Sequence, residues 1–157
     1  MAATQLAQKD EIGIAVELLG GDQTFDEPVA SELEAHRAIS RGLPGRALNH
    51  LVSNVSVMEE RGVFEKAVGI SLRTYQRRKK DGGKVRLSKE QSGRAFKFAE
   101  IVALATKTFG SQKDAEEWLS RPAIGLDHER PIDLLDTPAG TELVETYLGR
   151  MMHGVYT

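Results

Sequence analysis

The sequence contains no cysteine, and only 6% of its 157 residues are aromatic. Without cysteine the chain can form no disulfide framework, no thiol nucleophile, no cysteine-ligated zinc site and no iron–sulfur cluster. Its longest apolar run, residues 101–105, is far shorter than the roughly 20 residues that a membrane-spanning helix needs. The first residues lack a basic stretch followed by an apolar one, so no signal peptide is expected. We therefore expect a cytoplasmic globular protein with no membrane partner.

Motifs that organise catalysis are also missing from the sequence. It has no glycine-rich phosphate loop, no His-Glu zinc motif and no Gly-x-Ser-x-Gly elbow. We therefore expect a protein that is not an enzyme and that binds no cofactor or metal. The four histidines agree with this expectation because they lack the spacing of metal ligands: His36, His50, His128 and His153.

The net charge of −2 conceals three segments of different charge. Residues 1–57 carry 4 basic and 8 acidic side chains, residues 58–99 carry 12 and 5, and residues 100–157 carry 5 and 10. The middle segment therefore has a net charge of +7 between two acidic ends. A concentrated positive charge attracts phosphate whatever the net charge of the protein. The charge run by itself leaves two interpretations open, a DNA-binding surface or an ordinary solvated helix face.

Helix signals recur along the chain and strand signals are scarce, so the fold class is predicted to be all-α. Ser, Thr, Pro and Gly stand at the ends of apolar stretches that have helical spacing. The longest predicted helix runs from a Ser88 cap to Phe109 and is expected to be the buried central helix. The other helices are predicted to begin near Ile12, Pro28, Pro44, Met58, Leu72, Gln112 and Pro138.

The basic middle has the pattern of a helix-turn-helix, with a first helix over 58–67 and a second over 72–80. Such a motif needs two short helices, a tight turn that usually contains Gly, and a second helix with a polar, cationic outer face. Gly69 supplies the turn, and Ile70 and Tyr75 supply the packing of the second helix. Arg can bond guanine edges, Gln can bond adenine, and Thr or Ser can bond phosphate. The predicted DNA-binding residues are Ser71, Arg73, Thr74, Gln76, Arg77 and Lys80.

The last third of the chain carries an information-rich spacing of Trp, Pro, Gly and Arg. It reads Trp118-Leu119-x-x-Pro122-x-x-x-Leu126-x-x-x-x-Pro131-x-x-Leu134-Leu135-x-Thr137-x-x-Gly140, followed by Leu148-Gly149-Arg150 and His153-Gly154-Val155-Tyr156. Together with residues 69–74, this segment resembles the Xre/MbcA/ParS antitoxin family, over about residues 58–157. Three places depart from the family's pattern: Ala123 replaces a common Asn, Asp127-His128 replace Gly-Gly, and Lys97 stands where a second arginine is usual.

The resemblance implies an antitoxin of a type II toxin–antitoxin system. An Xre-like helix-turn-helix would bind operator DNA and repress the operon, and a small helical domain would block the active site of a RES-domain toxin that depletes NAD⁺. Antitoxins of this kind act as dimers, so a homodimer is expected. The chain is then divided into a helical N-terminal region (1–57, a candidate for dimerisation), a helix-turn-helix (58–87) and a toxin-binding domain (88–157). The family's toxin-binding role falls on Gly149, Arg150, His153, Gly154, Val155 and Tyr156.

Some interpretations compete at this stage. A helix-turn-helix regulator without a toxin partner would need the same basic helix, and a neighbouring gene for a RES-domain protein would separate the two functions. The residues of 150–156 alone would predict a frayed terminal tail, whereas the resemblance predicts an interface. Core packing rather than function is expected for one tryptophan and the apolar residues of the last helix: Trp118, Leu143, Val144, Tyr147, Leu148 and Met151.

Overall fold

The structure is a computed structural model, and it describes residues 10–154 of the chain. These residues form eight α-helices and no β-strand, which confirms the all-α prediction. Three short 3₁₀ turns lie between them, at Ser56–Glu59, Ile124–Leu126 and Pro131–Leu134. The helices are α1 (Glu11–Leu18), α2 (Glu32–Arg41), α3 (Gly45–Asn54), α4 (Val63–Val68), α5 (Leu72–Lys79), α6 (Lys89–Phe109), α7 (Gln112–Leu119) and α8 (Pro138–Met152).

Two predicted helix starts are wrong. The helix predicted to begin at Pro28 begins at Glu32 instead. The Ser31 hydroxyl caps it by accepting the Glu34 N–H at 3.2 Å. The predicted helix from Met58 is interrupted at Gly62, whose φ of +82° is left-handed. Glycine adopts this conformation without the steric cost that other residues meet. A 3₁₀ turn and the short α4 therefore replace one longer helix.

Helix α6 is the central buried element, as its apolar pattern predicts. Its start is fixed by a capping box: the Ser88 hydroxyl accepts the Gln91 N–H, and the Gln91 side chain accepts the Ser88 N–H. The helix contacts α1, α2, α4, α7 and α8. Helices from both halves of the chain therefore share one core, formed around its ten buried residues: Ser92, Ala95, Phe96, Phe98, Ala99, Ile101, Val102, Ala103, Ala105 and Thr106.

The last helix, α8, packs on α6 through a narrower stripe than the sequence suggests. Gly140, Val144 and Leu148 are buried and stand four residues apart. The core prediction for Leu143 is wrong, since 57% of this residue is exposed. Successive helical residues are rotated by about 100°, which turns Leu143 away from the side on which Val144 meets the core. The predicted core residues Tyr147, Met151 and Trp118 are half-buried.

The glycine of the Thr137-x-x-Gly140 motif is required by close packing. The Thr137 hydroxyl caps α8 by accepting the Gly140 N–H at 3.0 Å. A Cβ at Gly140 would lie 2.9 Å from the carbonyl carbon of Leu134 and closer still to its oxygen. The first turn of α8 therefore rests directly on the backbone of the Pro131–Leu134 turn.

An ionic network joins α4 to that same turn. Lys66 Nζ lies 2.8 Å from Asp133 Oδ1, and Arg130 donates to both oxygens of Asp133 at 2.9 and 3.1 Å. Arg130 also pairs with Glu60 at 3.3 Å. The hydrogen bonds from Arg130, followed by that from Lys66, lower the pKa of Asp133 to about 2 against the opposing effect of burial. The carboxylate of Asp133 thus ties the two halves of the chain together.

Replacing Gly140 with alanine should lower the free energy of unfolding by about 2–3 kcal/mol, because the new methyl group has no room beside a backbone carbonyl. Gly149→Ala is the matched control in the same helix, since nothing lies within 4 Å of a Cβ there. This control should raise stability by up to about 1 kcal/mol through helix propensity. Urea unfolding measures both, and equal effects of the two substitutions would contradict the packing assigned to Gly140.

Replacing Asp133 with asparagine should destabilise the protein by about 1–2 kcal/mol at neutral pH. The folded-state pKa lies below the ordinary value, so the stabilisation is present above about pH 4 and is lost as the pH falls toward about 2. The difference from the parent protein should therefore shrink over that interval in urea unfolding. Asp136→Asn is the control, because within the described residues this exposed carboxylate forms no ion pair. A difference that does not change with pH would contradict the network.

Candidate functional site

The turn of the predicted helix-turn-helix lies between α4 and α5. Gly69 has a left-handed φ of +78° that ends α4, and the next side chain, Ile70, is buried. The Ser71 hydroxyl accepts the Thr74 N–H at 3.1 Å, and the Glu65 carboxylate accepts the Leu72 N–H at 3.2 Å. These bonds satisfy two of the free N–H groups at the start of α5 and fix the direction in which it leaves the turn.

One aromatic side chain anchors α5 to the core. Tyr75 is the one residue of this helix that is buried, and its ring lies 4.8 Å from the ring of Phe64. Its hydroxyl donates to Asn49 Oδ1 in α3 at 2.9 Å, and burial raises the pKa of Tyr75. Because ring and hydroxyl are both held, the rotation of α5 about its own axis is set by this residue.

The opposite face of α5 is cationic and exposed. Arg73, Gln76, Arg77 and Lys80 are all exposed, and their spacing of three and four residues places them along one side of the helix. Within residues 10–154, neither arginine of this set nor Lys80 forms an ion pair. Their charges therefore remain available to an anionic partner.

The two predicted hydroxyl ligands also have local roles. Besides capping α5, the Ser71 hydroxyl donates to Thr74 Oγ1 at 2.8 Å. Thr74 is half-buried, whereas Ser71 is exposed. The structure thus places these two side chains beside each other at the start of α5, on its N-terminal turn.

Two arginines of the basic run have internal partners. Arg78 is half-buried and donates to Gln91 Oε1 at 3.4 Å. Arg86 donates to the Gly42 carbonyl oxygen at 2.7 Å and pairs with Asp26 at 2.5 Å. The charge count of the segment therefore overstates the charge that is available to a partner, since these two guanidinium groups bond to other parts of the chain.

Arg94 of α6 has a role that sequence reasoning missed. Its guanidinium donates to the Lys66 carbonyl oxygen in the last turn of α4, where a cation is favoured by the helix dipole. It also packs against Gly69, so that a Cβ there would lie 3.0 Å from Arg94 Cζ. No local pattern could indicate this contact, because 28 residues of chain separate its partners.

Lys97, the residue that departs from the family's arginine, connects α6 to α8. Its ammonium group lies 3.3 Å from Glu145 Oε1. Lys97 stands one helical turn after Arg94. Of these two neighbouring side chains, Arg94 bonds α4 of the helix-turn-helix and Lys97 bonds α8. The substitution of lysine for arginine therefore retains a cation that can pair with α8.

The predicted protein-binding residues lie at the end of α8. Arg150, His153 and Gly154 are exposed, and Gly149 is half-buried. The His153 N–H donates to the Gly149 carbonyl oxygen at 3.1 Å, and Gly154 has a left-handed φ of +68°. Helix α8 therefore ends at Met152, with His153 as its C-cap. The last two predicted residues, Val155 and Tyr156, lie outside the described residues.

Residues 10–154 offer no evidence of a metal site or a membrane span. No group of three or more His, Asp and Glu side chains in this range is placed to hold a metal ion. None of the helices in the same range is long and apolar enough to cross a bilayer.

Comparison with protein families matches two ranges of the chain to named domains. Residues 34–100 match the antitoxin Xre-like helix-turn-helix domain, and residues 104–154 match the antitoxin Xre/MbcA/ParS C-terminal toxin-binding domain. The first range extends beyond the predicted segment 58–87 and includes α3, most of α2 and the first half of α6. The first range ends and the second begins within α6.

Three curated proteins named Antitoxin Xre are similar to this chain. The protein from Photorhabdus laumondii is 30% identical over 134 residues, which cover 85% of this chain and 88% of that protein. The protein from Pseudomonas putida is 33% identical over 130 residues, 80% of this chain and 76% of that protein. The protein from Yersinia enterocolitica is 37% identical over 93 residues, 59% of this chain and 62% of that protein.

Proposed function

Because the chain belongs to the Xre antitoxin family, we propose that it neutralises a cognate RES-domain toxin and represses its own operon. In this proposal the toxin depletes NAD⁺, and the antitoxin is a binding protein rather than an enzyme. It acts as a homodimer in the cytoplasm, where it has access to the operator DNA of its operon. The observation that carries the proposal is the presence in one chain of a toxin-binding domain and an outward cationic face on α5.

The DNA-binding half of the proposal rests on α5. The N-terminal part of a recognition helix contacts base edges in the major groove. Arg73 lies in the first turn of α5, and Gln76 and Arg77 follow in its second turn on the same exposed side. Arginine can bond two guanine acceptors at once, and glutamine can do the same with adenine. Lys80, at the far end, is placed for a phosphate contact. A dimer would read paired half-sites about one helical turn of DNA apart.

The toxin-binding half of the proposal rests on the end of α8. Arg150 carries a permanent positive charge that can bond a carboxylate with two parallel hydrogen bonds. Gly154 lets the backbone approach a partner closely, and tyrosines such as Tyr156 are common anchors of protein interfaces. We propose that these residues, with Gly149, His153 and Val155, enter the active site of the toxin and block it.

The DNA-binding half is tested with Arg77→Ala and Lys80→Ala on the chain's own promoter DNA and on a scrambled duplex. Arg77→Ala should weaken promoter binding about 5- to 150-fold, the equivalent of about 1–3 kcal/mol, and affect the scrambled duplex less. Lys80→Ala should weaken both and lower the slope of affinity against salt concentration by about 1.

Fluorescence anisotropy at several salt concentrations measures these effects. Lys113→Ala is the matched control, since Lys113 is exposed on α7, outside the matched helix-turn-helix range, and should leave binding unchanged. Promoter binding that survives both substitutions in α5 would remove this helix from the proposal.

The toxin-binding half is tested by co-expression with a RES-domain toxin, for which the genes adjacent to that of this chain are the first candidates. Leu148 is fully buried, so a deletion before it would disturb the core; deletion of residues 153–157 leaves α8 intact. The deletion should abolish rescue of growth and of cellular NAD⁺, while binding to promoter DNA stays within about twofold of that of the full chain. Rescue equal to that of the full chain would contradict the role given to the tail.

A further inference from the structure

A surface groove lies along the side of α8 that carries Arg150. It has a volume of about 590 Å³. One wall is α8 and the other is the loop that contains the Ile124–Leu126 turn. The lining residues used below are Gly125, Leu143, Tyr147 and Arg150.

One large apolar side chain is exposed in the lining of this groove, and a second is exposed on the loop that forms its other wall. Leu143 lines it and is 57% exposed, and Ile124, which precedes the lining residue Gly125, is 82% exposed. Within the described residues of the toxin-binding domain, 104–154, these are the two large apolar residues that are exposed. A single exposed apolar residue needs no explanation, but here one stands in the lining of the groove and the other stands next to a lining residue on the opposite wall.

The loop that carries Ile124 is closed on itself. The Ala123 N–H donates to the Glu129 carbonyl oxygen at 3.0 Å, and the His128 N–H donates to the Ala123 carbonyl oxygen at 2.9 Å. Leu126, at the end of the turn, is buried. Ile124 is therefore directed outward by a hydrogen-bonded loop with its own buried anchor.

The other wall is held by a column of aromatic rings. Tyr147 stacks on Trp118 with ring centroids 5.8 Å apart and planes within 10° of parallel, and Trp118 lies 5.4 Å from Phe109. The backbone of Gly125 packs against Tyr147 so closely that a Cβ would lie 2.6 Å from the ring's Cζ. Both walls are therefore preformed in the unbound chain, which lowers the entropic cost of binding.

We propose that this groove, together with Ile124 and Leu143, receives an apolar side chain of the toxin and forms a second attachment site beside the tail. The inference rests on the proposed function. The toxin is the occupant because the whole groove lies in the toxin-binding domain and is continuous with the tail through Arg150, which lines it. A second copy of this chain in the groove would cover Arg150 and so block the residue that the toxin has to reach.

The test measures the affinity of the full chain for the RES-domain toxin of the co-expression experiment, purified, by biolayer interferometry. Ile124→Ser and Leu143→Ser should each weaken binding about tenfold or more, as loss of an interface anchor does. Ile124→Val should stay within about threefold of the parent, since a smaller apolar residue keeps the contact. The matched control is Leu33→Ser, because Leu33 is also 57% exposed but lies on α2, and it should leave the affinity unchanged.

Two further variants distinguish failure of this inference from failure of the proposed function. Arg150→Ala and deletion of residues 153–157 should weaken binding whether or not the groove contributes. If they do so while both serine variants bind like the parent, the groove is not an attachment site and the inference is overturned alone. If the parent itself does not bind the RES-domain protein, the proposed function and the inference fall together.

Two controls complete the design. Melting temperatures of the serine variants should match that of the parent, because both side chains are largely exposed. Sedimentation of the chain alone should give one oligomeric state for the parent and for both serine variants. A dimer that dissociates on Ile124→Ser or Leu143→Ser would identify a second copy as the occupant and overturn the proposal.

Discussion

Helix α6 is the constraint on which the rest of the structure depends, because helices from both matched domains pack against it. Small residues such as Ala95 and Ala99 are fully buried in it and let neighbouring helices approach closely. The buried hydroxyl of Ser92 accepts the Leu43 N–H at 2.8 Å, which satisfies that backbone donor in the connection between α2 and α3. Helix α6 therefore contacts α8 directly and, through Arg94, the end of α4 from which the chain turns into α5.

The two surfaces differ in how they are held. The face of α5 depends on the Tyr75 anchor and on Arg94, which bonds the end of α4 across 28 residues of chain. The face of α8 depends on the buried stripe that ends at Leu148 and on the contact of Gly140 with the Pro131–Leu134 turn. Asp133 links that turn to α4, so the two surfaces belong to one packed unit.

Local signals in the sequence predicted most of the fold, and contacts between distant residues account for what they missed. The Ser88 cap and the apolar spacing after it were enough to predict α6. The break at Gly62 was missed because a glycine inside an apolar helical pattern is compatible with a continuous helix. The exposure of Leu143 depends on how α8 is rotated against α6, and the role of Arg94 depends on a contact with α4. Neither can be predicted from a local sequence pattern, because each depends on residues that are distant in the chain. The basic residues predicted a DNA-binding helix unaided, whereas the toxin-binding residues came from the family resemblance.

Hydrogen–deuterium exchange of the full chain, alone, with its promoter DNA and with the RES-domain protein, tests most directly the claim that one packed unit presents separate surfaces to two partners. The account predicts that DNA slows amide exchange within residues 71–84 and leaves α8 unchanged. It predicts that the RES-domain protein slows exchange in the second half of α8 and in the loop around Ile124, and leaves α5 unchanged. Protection of α5 by the RES-domain protein in place of α8, or of α8 by DNA, would contradict it.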